Sequence, residues 1–118
     1  MTYFLGLTRL EAIDANADTF SADDTYIQIN GDQVFQRDFN TGDVAFLDTA
    51  KKLDRPAQIN LYDEDNFLNF DDDFIGGITI NPPSSSGSMG QPQFNTVTLS
   101  GSGSEYQLSY YTVNLSGF

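Results

Sequence analysis

Apolar and polar residues alternate along most of this chain with a period of two, and no segment sustains the 3.6-residue period of an amphipathic helix. Thr25-Tyr26-Ile27-Gln28-Ile29 sets Ile27 and Ile29 on one face and stops at Asn30-Gly31-Asp32, a two-residue hairpin signal because Asn-Gly accepts the positive φ of a tight turn. Gln58 to Tyr62 pairs Ile59 with Leu61 in the same way, and Asp43 to Leu47 places Val44 and Phe46 together. The remaining predicted strands are Tyr3 to Ile13, Gln33 to Phe39, Phe74 to Ile80, Gln93 to Leu99 and Glu105 to Leu115. Asp48 to Pro56 reads as a connection, Pro82 to Pro92 as a loop, and Ser100 to Ser104 as the link between the last two strands. The Gly76-Gly77 pair predicts a bulge or a close backbone approach. Eight short strands with turns at this spacing predict an all-β fold, a single antiparallel sandwich or small barrel of residues 1 to 118.

Composition agrees, since Tyr and Phe total 16 of 118 residues and favour pleated, half-buried surfaces. The chain has room for one domain and a modest core. With no cysteine it holds neither a disulfide nor a thiolate metal site, so redox compartment stays open. Met1 to Leu10 lacks a basic leader and a small-residue cleavage site, and reads as a strand rather than a signal peptide. No stretch reaches the roughly 18 apolar residues of a spanning helix, so the expectation is a soluble chain.

The formal net charge is −12, from 14 Asp and three Glu against Arg9, Arg37, Lys51, Lys52 and Arg55. Nucleic acid is thereby excluded as a partner, because phosphate backbones are held by clustered Lys and Arg. Enzymatic function is not expected: without His or Cys the commonest general base and the best protein nucleophile are missing, and the serines lie mainly in Gly/Ser stretches with no activating base nearby. Ten of the 17 acids gather in two windows, Asp14, Asp18, Asp23 and Asp24, then Asp63, Glu64, Asp65, Asp71, Asp72 and Asp73. One such window is ordinarily a solvated loop. Two that a fold brings together supply what calcium needs, six to eight oxygens at about 2.3 to 2.6 Å from several converging carboxylates and carbonyls.

Neither window is an EF-hand. Thr19 stands where the first would need its turn glycine, and Pro82 stands where the second would need its closing Glu. Together, however, they resemble a C2 domain, the calcium-dependent β-sandwich of protein kinase C, synaptotagmin and phospholipases. Asp18-Thr-Phe-Ser-Ala-Asp-Asp24-Thr-Tyr-Ile resembles that family's first calcium loop. Ile59-Asn-Leu-Tyr-Asp63-Glu-Asp65 followed by Asp72-Asp73-Phe-Ile-Gly76 resembles the apolar strand, Asp-x-Asp pair and Asp-Phe-Ile-Gly closure of its third. The resemblance covers about residues 3 to 80. Thr25 replaces the usual proline, the third loop is two residues longer, and the usual fourth-strand Trp is absent. A chain that starts on the strand before the first loop implies the phospholipase-type strand order.

The resemblance implies two or three calcium ions held by Asp18, Asp24, Asp63 and Asp65, with Asp71, Asp72 or Asp73 closing the shell and the carbonyls of Thr19 and Glu64 completing it. It also implies peripheral attachment to a phospholipid surface, with Phe20, Phe67, Leu68 and Phe70 at the loop tips. Three calcium ions would leave the formal charge at about −6, which argues against long-range attraction to an anionic membrane. A calcium-stabilised structural or adhesive module is therefore a second reading, and a carbohydrate-binding module presenting Tyr106, Tyr110 and Tyr111 a third. Oligomeric state is left open by the sequence.

Overall fold

The computed structural model describes residues 2–16, 22–64, 72–83 and 90–115. Its strands are β1 (Tyr3–Asp14), β2 (Asp23–Ile29), β3 (Asp32–Phe39), β4 (Val44–Leu53), β5 (Ala57–Asp63), β6 (Asp73–Ile80), β7 (Pro92–Gly101) and β8 (Ser104–Asn114). They form two four-stranded sheets, ordered β4-β1-β8-β7 and β3-β2-β5-β6, and every pairing is antiparallel. The eight-stranded sandwich predicted from the alternation is the observed architecture.

The core lies between the sheets. Leu5, Leu7, Leu10 and Leu108 come from one sheet and meet Ile27, Ile29, Ile59, Leu61 and Ile75 from the other, all essentially inaccessible to water. Each fully buried aliphatic side chain of this size contributes about 1.5–3 kcal/mol of transfer free energy. Ile27, Ile29, Ile59 and Leu61 are the inward residues their alternation predicts.

Two hairpins are closed by left-handed pairs suited to the strand twist: Asn30 (φ 50) with Gly31 (φ 86), and Ser102 (φ 54) with Gly103 (φ 86). The second is tighter than the five-residue link expected, because β7 runs on to Gly101 and β8 begins at Ser104. The Gly76-Gly77 pair makes a close approach, since a Cβ on Gly76 would sit 3.0 Å from Leu99. The register also shifts opposite it, between Leu61 and Tyr62.

Two expectations are corrected. Asp48 to Leu53 is not a connection but the second half of β4, paired with β1 from Tyr3↔Leu53 to Leu7↔Thr49. Its Asp-Thr-Ala-Lys-Lys composition has little strand propensity, and pairing with a buried neighbour overrides that preference. Val44 and Phe46 share a face as expected, and it is the outer one: Phe46 is 82% exposed while Ala45 is buried. Tyr106 is wholly buried, so it cannot belong to a carbohydrate-binding surface.

Candidate metal centre

Strand pairing brings the two acidic windows to one end of the β3-β2-β5-β6 sheet. The first window enters β2 at Asp23, the second leaves β5 at Asp63, and β2 and β5 are neighbours with Thr25 opposite Asp63. β6 returns from the second window at Asp73, directly opposite Asp63.

Alternation then divides the acids between two faces. Asp23 shares the parity of Thr25, Ile27 and Ile29 and points into the sandwich, where it is completely buried. Its Oδ2 accepts hydrogen bonds from the Ser104 hydroxyl at 2.7 Å and the Tyr106 phenol at 2.8 Å, both reaching across from the other sheet. Because the phenol's one proton is donated to Asp23, the Thr25 hydroxyl, 2.8 Å away, donates to the Tyr106 oxygen. Burial, and secondarily the charges of Asp23 and Asp63, hold the Tyr106 pKa far above its ordinary value, so it remains a donor at every physiological pH.

Asp63 is buried too, and its Oδ1 accepts the Asp24 amide at 2.7 Å, while the Glu64 amide donates to the Asp24 carbonyl at 2.8 Å. These bonds fasten the end of β2 to the end of β5. Such charge-assisted bonds to a carboxylate are stronger than neutral ones.

Asp24 lies on the opposite, outer face. Its Oδ1 accepts from the Gln36 amide at 3.0 Å, and the same amide also donates to Glu64. Asp72 accepts the Tyr26 phenol, whose ring stacks on Tyr62 with centroids 5.2 Å apart; Tyr62 in turn meets the edge of Phe74. Burial first, then Asp72, raises the Tyr26 pKa well above its ordinary value.

Of the residues singled out in the sequence, Asp24, Asp63, Glu64, Asp72 and Asp73 are thus gathered at one sheet end. Asp63 and Asp73 turn inward, Asp24 and Asp72 outward. Among the described residues, no three acidic side chains converge into a metal cage. Asp18, Thr19, Phe20, Asp65, Phe67, Leu68, Phe70 and Asp71 lie outside the described residues. Sequence reasoning counted Asp23 in the window but gave it no role. Counting back by twos from Ile27 would have assigned it to the core, whereas Ser104 had no local signal because its partner is 81 residues distant.

The fold matches solved structures. One is a C2 domain, at TM-score 0.58 and 14% identity over 96% of this chain and 98% of that one. Another is human GIVD cytosolic phospholipase A2 in complex with methyl gamma-linolenyl fluorophosphonate inhibitor and terbium chloride, at TM-score 0.60 and 14% identity. That match covers 95% of this chain but only 17% of the phospholipase. A third is the pair of C2 domains of extended-synaptotagmin 2, at TM-score 0.56 and 14% identity, over 95% of this chain and 40% of that one. No protein-family model and no curated protein matches the chain. Its fold is that of a C2 domain, with β1 between β4 and β8 in one of its sheets.

Proposed function

We propose that this chain is a non-catalytic calcium-binding module of the C2 kind. In this reading Asp18, Asp24, Asp63 and Asp65 supply carboxylates, one of Asp71, Asp72 and Asp73 closes the shell, and the Thr19 and Glu64 carbonyls complete it around two or three ions. The observation that carries the reading is the meeting of both acidic windows at adjacent strand ends, tied by the Asp24 amide bonded to Asp63. A hard divalent cation is the ligand that such a concentration of carboxylates favours. The terbium chloride in the phospholipase complex adds support, terbium being an ion of similar hardness.

Bound calcium would neutralise carboxylates that repel one another, and the loop tips with Phe20, Phe67, Leu68 and Phe70 would then enter a phospholipid surface. The formal charge of −12 favours zwitterionic over anionic lipid. That same charge keeps a second use in view, a structural or adhesive module whose folding is coupled to the metal.

Thermal unfolding in chelator and then across a calcium titration, with magnesium as control, tests the metal. The midpoint should rise by many degrees with calcium alone, as binding to the folded state requires, and the rise should vanish in an Asp63→Asn, Asp65→Asn double variant. A midpoint indifferent to millimolar calcium would rule the reading out. Sedimentation with phosphatidylcholine vesicles, using Phe67→Ala and Phe70→Ala variants, then separates lipid attachment from the structural role.

A further inference from the structure

The last third of the chain carries a surface that the calcium reading leaves unused. No Asp, Glu, Lys or Arg occurs from residue 92 to residue 104, from 106 to 115, or from 2 to 8. These stretches are β7, most of β8 and the first half of β1, which are adjacent in one sheet. In a chain of formal charge −12 the greater part of that sheet is therefore uncharged. On its outer face Phe94 is 71% exposed and Phe4 39%, and the Tyr111 ring lies between their strands, 5.8 Å from Phe94.

β7 is the edge of this sheet, and an edge presents a row of backbone donors and acceptors to any extended chain. The other three edges carry the usual protection. β3 has Asp32, Arg37 and Asp38, and β4 has Asp48, Lys51 and Lys52. β6 has Asp73, the glycine pair and a register shift against its partner. β7 has neither charge nor register shift, and Pro92 guards only its first position: it pairs with β8 through ten successive residues, Pro92↔Val113 to Gly101↔Ser104. β6 packs over only its far end, where a Cβ on Gly101 would collide with the Ile75 carbonyl. Toward its start, Gln93, Phe94, Asn95 and Thr96 are exposed, whichever face of the sheet they occupy.

We propose that β7 is a self-association edge, pairing antiparallel with β7 of a second copy across a two-fold axis to make one continuous sheet. Charge selects this occupant. Around Phe94 and Thr96 a basic partner would find no acidic side chain, Glu105 and Glu11 lying toward the acidic end of the sheet, whereas a second copy brings an equally uncharged strand start. Antiparallel pairing also sends the two acidic ends to opposite poles, which minimises repulsion between chains that would otherwise resist association. The contact is isologous, so Phe94 of each copy flanks the new strand pair and loses its exposure to water.

Sedimentation equilibrium of the full chain in chelator tests this without reference to calcium. A monomer–dimer equilibrium should appear, and raising sodium chloride should tighten it by screening the like charges of the two chains. Thr96→Lys sets like charges near each other across the axis and should weaken association about tenfold or more, with the unfolding midpoint unchanged at concentrations low enough to keep both chains monomeric. Phe94→Ala should weaken it independently, and supplies the answer if Thr96→Lys does not fold. A chain that stays monomeric at every concentration and salt overturns the proposal, as does a dimer that both variants leave intact.

Discussion

The Tyr106 phenol, on the central strand of one sheet, donates to the Asp23 carboxylate on the other at 2.8 Å, in a position closed to water. Joined by the hydroxyls of Ser104 and Thr25, this pair makes the polar floor beneath the acidic end of the sandwich. Removing the phenol hydroxyl deprives Asp23 of one buried donor and Thr25 of its acceptor. Tyr106→Phe should therefore lower stability by about 1–3 kcal/mol, the cost of buried polar groups left without partners. Urea unfolding in chelator measures it, and a loss below about 0.5 kcal/mol would mean that the network contributes nothing net.

The same phenol makes stability depend on alkali. Tyr106, Tyr26 and Tyr3 each have a pKa raised above the ordinary 10.0, in every case chiefly by burial. Their contribution is complete below about pH 10. Above it the unfolded chain releases phenolic protons that the folded chain keeps, so stability must fall as pH rises, by up to about 1.4 kcal/mol per pH unit for each such phenol. Urea midpoints between about pH 8 and pH 11.5 should show the decline beginning near pH 10, and Tyr106→Phe should make it shallower by one phenol's share.

Gly6 is required by what lies over it. A Cβ there would collide with the ring of Tyr111, which covers the glycine from the facing position on β8. Gly6→Ala must displace that ring, and overpacking of this kind costs about 1–3 kcal/mol. Calorimetry of Gly6→Ala, Tyr111→Ser and the double variant gives the check: the alanine should cost far less once Tyr111 has been shortened.

The contrast between strand and site shows what a sequence of this kind can reveal. The inward positions of β2 and β5 were legible because alternation is local, and Ile27, Ile29, Ile59 and Leu61 declare it within a few residues. The second half of β4 was not, because Asp48 to Lys52 form a strand only by pairing with β1, some 40 residues earlier. The alternation of β4 paired Val44 with Phe46 but did not say which face is inward, and it is small Ala45 that meets the core. At the acidic end, the meeting of the two windows was legible from their order and their resemblance to a known pair of loops. The burial of Asp23 depends on Ser104 and Tyr106, more than 80 residues away, and no local pattern announces such partners.

The facing of β4 gives a direct test. With Ala45 at 3% exposure and Phe46 at 82%, enlarging the first and trimming the second should have opposite weights. Ala45→Leu should cost about 1–3 kcal/mol, since the core must yield space for three more carbons. Phe46→Thr should stay within about 0.5 kcal/mol, as is usual for a surface position. Equal effects on the thermal midpoint would contradict this register.

Asp63 and Asp73 stand directly opposite each other on β5 and β6, two carboxylates on one face of the sheet. Like charges so placed destabilise an antiparallel pair by up to about 1 kcal/mol. Asp63 accepts the Asp24 amide that ties β2 to β5, so Asp73 is the one to neutralise without cutting that tie. Asp73→Asn keeps the shape and removes a charge, and should raise the unfolding midpoint in chelator. If the repulsion exists because calcium relieves it, the same variant should gain less from calcium than the natural chain, so the two melting curves approach or cross as calcium is added. A variant more stable in chelator and equally responsive to calcium would place Asp73 outside the metal shell, leaving Asp71 or Asp72 to close it. One less stable in chelator would show instead that the Asp73 charge is held by favourable partners in the metal-free fold.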